Sequence, residues 1–152
     1  MLWKQVWFKR YITDFGTEDL LNKPNVTVFP HVGGSTGEAE LNCAIMAGQT
    51  IRRFMETGEI VNSVNFPRVQ QALSAPYRIT LINKNVPNIV ARISTAVSDF
   101  NINIDNIINR SKGDYAYTLL DLDETDKSKI DELVAKFEAS DNIVRVRLIK
   151  GK

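Results

Sequence analysis

The sequence predicts an α+β chain whose second half is a split βαββαβ unit, the ferredoxin-like arrangement of about 70 residues. Three observations carry that prediction. Between Tyr77 and Ile149, stretches of strand and helix character alternate as strand, helix, strand, strand, helix, strand. Each helical stretch keeps its apolar residues on one face: Ile89, Val90, Ile93, Val97 and Phe100 in the first, Ile130, Leu133, Val134 and Phe137 in the second. The two inner strands meet across Lys112-Gly113-Asp114, a hairpin signal.

Taken in order, Val6 to Thr13 has strand character and Thr17 to Leu21 fits a short helical turn. The aromatic residues Trp3, Trp7, Phe8 and Tyr11 call for a covering surface; packing in an assembly and simple disorder of this end are both open readings. Asn25 to Phe29 reads as a short buried strand stopped by Pro30. Gly33-Gly34 is a tight turn, and Ser35 with Glu38 forms a capping box that starts a helix. Leu41, Ala44, Ile45, Gly48, Ile51 and Met55 make one apolar stripe, which carries that helix to Thr57 before Gly58 stops it. Cys43, inside the helix and with no base beside it, reads as a small buried hydrophobe. Ile60 to Pro76 lacks periodicity and reads as an extended linker, with Asn65-Phe66-Pro67 as its plug.

Beyond the linker, Arg78 to Ile82, Ile104 to Asn109 and Tyr115 to Leu122 are expected strands, and Asn83 to Asn88 a loop. Asp126 stands near the start of the second helix, and in the last strand Val144, Val146 and Leu148 alternate with Arg145, Arg147 and Ile149. Helices on one face of such a sheet leave the other face bare, so pairing with a second copy is expected.

Composition narrows the function classes. With 19 Lys and Arg against 18 Asp and Glu, the net charge is +1, and no basic stripe suggests nucleic acid. No apolar run approaches the roughly 20 residues of a membrane span, and the first ten residues lack a signal peptide's apolar core. One cysteine cannot form an intrachain disulfide, which favours a reducing, cytoplasmic setting. One Cys and one His do not make a structural zinc site, so no metal is expected.

Two blocks carry a family likeness. Pro30-His31-Val32-Gly33-Gly34-Ser35-Thr36 through Asn62-Ser63-Val64-Asn65-Phe66-Pro67 resembles the end of the catalytic region of D-3-phosphoglycerate dehydrogenases, NAD-dependent members of the D-2-hydroxyacid dehydrogenase family. Residues 77–149 resemble the ACT domain that follows in the same enzymes. The likeness implies a three-part layout: a catalytic-region remnant of strand and long helix over 1–60, a linker over 61–76 and an ACT regulatory domain over 77–152. It further implies that His31 is the catalytic general acid/base, withdrawing the hydroxyl proton of 3-phosphoglycerate, a task suited to an imidazole that titrates near neutral pH. Gly33 and Gly34 match glycines that let the backbone pass close to the nicotinamide. The carboxylate partner of the histidine, the substrate-gripping Arg and the Gly-rich dinucleotide loop lie earlier in such enzymes. NAD is therefore expected of the parent enzyme and not of this chain alone, which is expected to be inactive in isolation.

ACT domains of serine-inhibited members hold L-serine between two copies. By register from Pro87, the resemblance places the effector-binding positions at Asn83, Asn85 and Asn103. Asn83 stands where the family has a histidine, and Asn88 where it has a glycine. Weak serine binding, another small effector, and asparagines that only cap a loop are all open. The implied role is a regulatory and oligomerising part of an enzyme of L-serine biosynthesis that self-associates through sheet edges. The alternative is a free-standing amino-acid-binding ACT protein without enzymatic activity.

Overall fold

A computed structural model describes residues 9–151. They form two compact units, Met1–Ile45 and Met46–Lys152, with the boundary inside one long helix. Trp3, Trp7, Phe8 and the first part of the expected Val6 to Thr13 strand lie outside the described residues.

In the first unit, β1 (Tyr11–Thr13) pairs in parallel with β2 (Val26–Val28), Tyr11 opposite Val26 and Thr13 opposite Val28. Expected as buried, β2 is only half-buried, because a two-stranded ribbon offers it one neighbour. The short helical turn expected at Thr17 to Leu21 is present as a turn, in which the Leu20 amide donates to the Thr17 carbonyl at 2.9 Å. Gly16 is required by close approach: a Cβ there would lie 2.6 Å from Val28 Cγ1.

The long helix α1 runs Gly37–Thr57. Its cap is Thr36 rather than the expected Ser35, since Thr36 Oγ1 accepts from the Ala39 amide at 3.1 Å. No residue of α1 is buried, and Leu41, Ile45, Met46, Ile51 and Met55 are exposed. Cys43 is exposed too, which overturns its reading as a buried hydrophobe: an apolar face stays wet when no described element packs on it. Gly58 stops the helix with φ 72°.

The second unit contains the split βαββαβ domain: β3 (Tyr77–Lys84), α2 (Ile89–Ser98), β4 (Asn103–Lys112), β5 (Tyr115–Asp123), α3 (Lys127–Glu138) and β6 (Ile143–Lys150). The strands lie in the order β4-β5-β3-β6, antiparallel throughout. This is the ferredoxin-like arrangement expected of an ACT domain. One sheet face meets α2 and α3 in a core that includes Ile79, Leu81, Ile93, Leu120, Ile130 and Leu133. Each such side chain contributes about 2 kcal/mol by leaving water. Val90, expected on the inner face of α2, is exposed: it sits one position off the Ile89, Ile93, Val97 stripe that meets the core. Val144 is exposed for another reason. The β3–β6 register jumps from Ile82 opposite Arg145 to Asn83 opposite Ile143, leaving Val144 as the extra residue of a bulge.

The opposite face is not bare, contrary to expectation. The segment after α1 folds back over it, pinned by an antiparallel bridge between Ile60 and Val69. Ile60 and Val69 join Tyr117 and Leu119 in a second buried cluster, with Phe66, Ile82 and Ile108 packed against it. The Phe66 ring centroid lies 6.1 Å from that of Tyr117, so the expected plug is in place. Tyr117 Oη donates to the Gly58 carbonyl at 2.7 Å, and burial pushes its phenol pKa up.

Candidate functional sites

Two places hold the residues singled out by sequence. In the first unit, parallel pairing of β1 and β2 brings both carboxyl ends to the same side, where a parallel sheet usually presents its chemistry. Asp14 follows β1 directly, and His31 stands three residues beyond Val28. Asp14 Oδ2 lies 2.8 Å from His31 Nδ1, and the Phe15 ring packs on the imidazole with centroids 4.6 Å apart. A carboxylate on Nδ1 holds the ring orientation and leaves Nε2 free for proton transfer. Sequence reasoning sought the carboxylate partner outside the chain. The signal for Asp14 was its place at the end of one strand, opposite the segment that carries the histidine.

Gly33 and Gly34 form the turn into α1, with the Ser35 amide donating to the Val32 carbonyl at 3.0 Å. A Cβ built at either glycine meets nothing within 4 Å. No close neighbour among the described residues therefore requires glycine at either position.

In the second unit, Asn83 is fully buried at the end of β3. Its Oδ1 accepts from Thr118 Oγ1 at 2.9 Å, and its Nδ2 donates to the Lys84 carbonyl at 3.0 Å. Asn109 Nδ2 donates in turn to Thr118 Oγ1 at 2.7 Å, completing a polar chain across three strands. Asn85 is exposed, and its Nδ2 donates to the Gly113 carbonyl at 3.0 Å, tying the loop before α2 to the β4–β5 hairpin. Asn103 begins β4 and is exposed, and no side-chain hydrogen bond occupies it among the described residues. Asn88 takes a left-handed backbone, φ 65°, at the start of α2. The three expected effector positions therefore differ: Asn83 is committed internally, Asn85 keeps its oxygen free, and Asn103 keeps both ends free.

A feature without a sequence signal is the buried pair Arg78–Asp121. Arg78 Nε and Nη2 donate to Asp121 Oδ1 and Oδ2 at 2.5 and 2.7 Å. The remaining guanidinium donors reach the carbonyls of Thr57, Gln71 and Ala72 at 2.9, 2.8 and 3.0 Å. Arg147 on β6 donates to the Phe54 and Met55 carbonyls, with its guanidinium 5.0 Å from the centre of the Phe54 ring. Because α1 has no basic residue in its last turn, these two arginines satisfy carbonyls that its own sequence leaves open.

Strand order and the split βαββαβ connectivity make the second unit a ferredoxin-like domain, the fold class of ACT domains. Over 88% of its length the chain is homologous to proteins named D-3-phosphoglycerate dehydrogenase. It is 31% identical over 139 residues to D-3-phosphoglycerate dehydrogenase 2 of Saccharomyces cerevisiae, covering 88% of this chain and 29% of the yeast protein. Against the Escherichia coli K12 enzyme the identity is 26% over 133 residues, covering 88% of this chain and 32% of that protein. The chain thus spans about a third of the length of the curated relatives it matches. No family model matches it. Among solved structures it is similar to the ACT domain of GTP pyrophosphokinase from Chlorobium tepidum, with a TM-score of 0.44 and 18% identity over 48% of this chain and 95% of that one. It is also similar to the regulatory subunit of aspartate kinase from Thermus thermophilus, with a TM-score of 0.42 and 21% identity over 51% and 52% of the two chains. At that overlap they add nothing to the strand order and register described above.

Proposed function

We propose that this chain is the regulatory and self-associating part of an NAD-dependent D-3-phosphoglycerate dehydrogenase acting in the cytoplasm. The whole enzyme would oxidise 3-phospho-D-glycerate to 3-phosphooxypyruvate in L-serine biosynthesis. The observation that carries this reading is the 139-residue alignment, which extends well beyond the ACT-like residues alone. We divide the chain functionally as a catalytic-region part over 1–60, a strap over 61–76 and a regulatory domain over 77–152.

In the whole enzyme His31 takes the substrate hydroxyl proton, and Asp14 orients it through the 2.8 Å contact at Nδ1. Gly33 and Gly34 lie where the backbone must approach the cofactor, whose pocket other residues of the enzyme supply. Replacing His31 by Asn in the full-length enzyme lowers kcat by about 100-fold or more with NAD affinity little changed. Retained turnover would defeat the assignment.

The effector of the regulatory domain is L-serine or a similarly small amino acid, held at the seam between two copies. Asn85 and Asn103 make the contacts, while Asn83 holds the loop from behind. Calorimetry with L-serine tests this reading: saturable heat is expected, and Asn103→Ala removes it. No heat at millimolar serine overturns the effector assignment and leaves that of His31 standing.

A further inference from the structure

One concavity among the described residues is unrelated to either site. It measures about 610 Å³ and lies between the C-terminal half of α1 and the segment from Glu59 to Arg68, wholly within the second unit. Its size suits a small-molecule ligand. Gln49, Thr50, Arg53 and Glu56 share one helical face at the spacing that brings side chains together. The far wall is turned back by the Ile60–Val69 bridge and tied to the helix where Asn62, with φ 58°, donates from Nδ2 to Thr50 Oγ1 at 3.3 Å.

Three guanidiniums line this concavity: Arg52, Arg53 and Arg68. Two carboxylates accompany them and fail to use them up. Arg52 Nε stands 3.7 Å from Glu56, and Arg53 Nε stands 3.6 Å from Glu59, both beyond hydrogen-bond length. Glu59 is already engaged, accepting from the Gln71 amide at 2.8 Å and from Thr57 Oγ1 at 3.4 Å. Arg68 spends only its Nε, on Gln70 Oε1 at 2.6 Å. Each guanidinium carries five N–H donors in a planar fork that matches phosphate oxygens, so this wall presents a surplus of charged donors without acceptors.

The ligand class follows from what the wall offers and lacks. No aromatic ring lines the concavity, which removes the stacking platform that a nucleobase would need. The lining is polar apart from Met46 and Val61, which disfavours an apolar ligand. We propose that it is a binding site for a small aliphatic phosphate dianion, with Arg53 and Arg68 gripping the phosphate from the two walls and Arg52 at the rim.

The test uses the whole 152-residue chain at low ionic strength. Inorganic phosphate and glycerol 3-phosphate are each titrated by calorimetry and by backbone amide NMR. Saturable binding is expected, with shifts confined to residues 46–68. Tighter binding of glycerol 3-phosphate assigns the site to a phosphomonoester, and equal binding assigns it to free phosphate. The double variant Arg53→Gln/Arg68→Gln changes two exposed side chains and should keep its amide spectrum while affinity falls by about tenfold or more. If that double variant is unfolded, Arg52→Gln and Arg53→Gln alone serve, each expected to weaken binding. A response matched by chloride at equal ionic strength, no saturation at tens of millimolar, or unchanged affinity in the folded variants would overturn the proposal.

Discussion

Arg78 and Asp121 exchange two hydrogen bonds out of reach of water, with side-chain exposures of 0% and 1%. Burying such a pair is costly, and the cost is offset only because every guanidinium donor finds an acceptor, three of them main-chain carbonyls at the end of α1 and in the covering segment. Removing one partner strands the other, so Asp121→Asn is expected to lower unfolding free energy by about 3–5 kcal/mol in urea titrations. Replacing both by apolar residues of similar size should cost clearly less than the sum of the single changes. Glu124 makes a second prediction. Its carboxyl accepts from the amides of Asp126 and Thr125 and from Lys129 Nζ, and these bonds, the Asp126 amide first, pull its pKa down to about 2 from 4.5. A folded pKa below the unfolded one gives a contribution that is complete above pH 4.5 and is lost as the pH falls through about 2. Glu124→Gln should therefore flatten the fall of stability across that window, measured by denaturation at stepped pH. Neither partnership was legible beforehand: Arg78 and Asp121 are 43 positions apart and meet only through the β3–β5 register.

At the scale of elements, the strands and helices of the second unit were readable because their apolar spacing is regular and their punctuation is strong. Asp126, expected near the start of the second helix, caps α3, its side chain accepting from the Ser128 amide at 2.9 Å. What spacing could not convey is which faces find a cover. The α1 stripe has the pattern of a buried helix and stays exposed, whereas the aperiodic stretch after it seals a sheet face. Capping was off by one residue because Ser35 and Thr36 offer the same chemistry and only backbone geometry chooses between them. Thr36→Ala should then cost about 1 kcal/mol, and Ser35→Ala little, by urea denaturation monitored on helical ellipticity. Gly58 is the hinge of the strap: φ 72° excludes most side chains, and a Cβ would lie 2.5 Å from Thr80 Cγ2. Gly58→Ala is expected to destabilise by about 1–3 kcal/mol, and Thr80→Ser in the same background should recover part of the loss.

Across the whole molecule, the covered sheet face changes how copies can meet. A second copy cannot lie flat on a surface already occupied by Ile60, Phe66 and Val69, so what the sheet itself offers to a second copy is its edge strands β4 and β6. The sequence argued for an edge contact from a bare sheet face, and that face is covered. The two edges are chemically unlike. β6 carries Arg145, Arg147 and Lys150 without an acid, whereas β4 carries Asp105 with Arg110 and Lys112. Two antiparallel β6 strands would bring like charges together, while two β4 strands can oppose acid to base. A sheet with two equivalent sticky rims grows without end, head to tail, into fibres. One rim blunted by cations and kinked at Val144, with the other self-complementary, would stop growth at a twofold pair. Sedimentation should accordingly find a discrete dimer that Asp105→Lys splits into single copies, while Arg145→Glu on the opposite rim leaves the dimer intact or allows higher polymers to form.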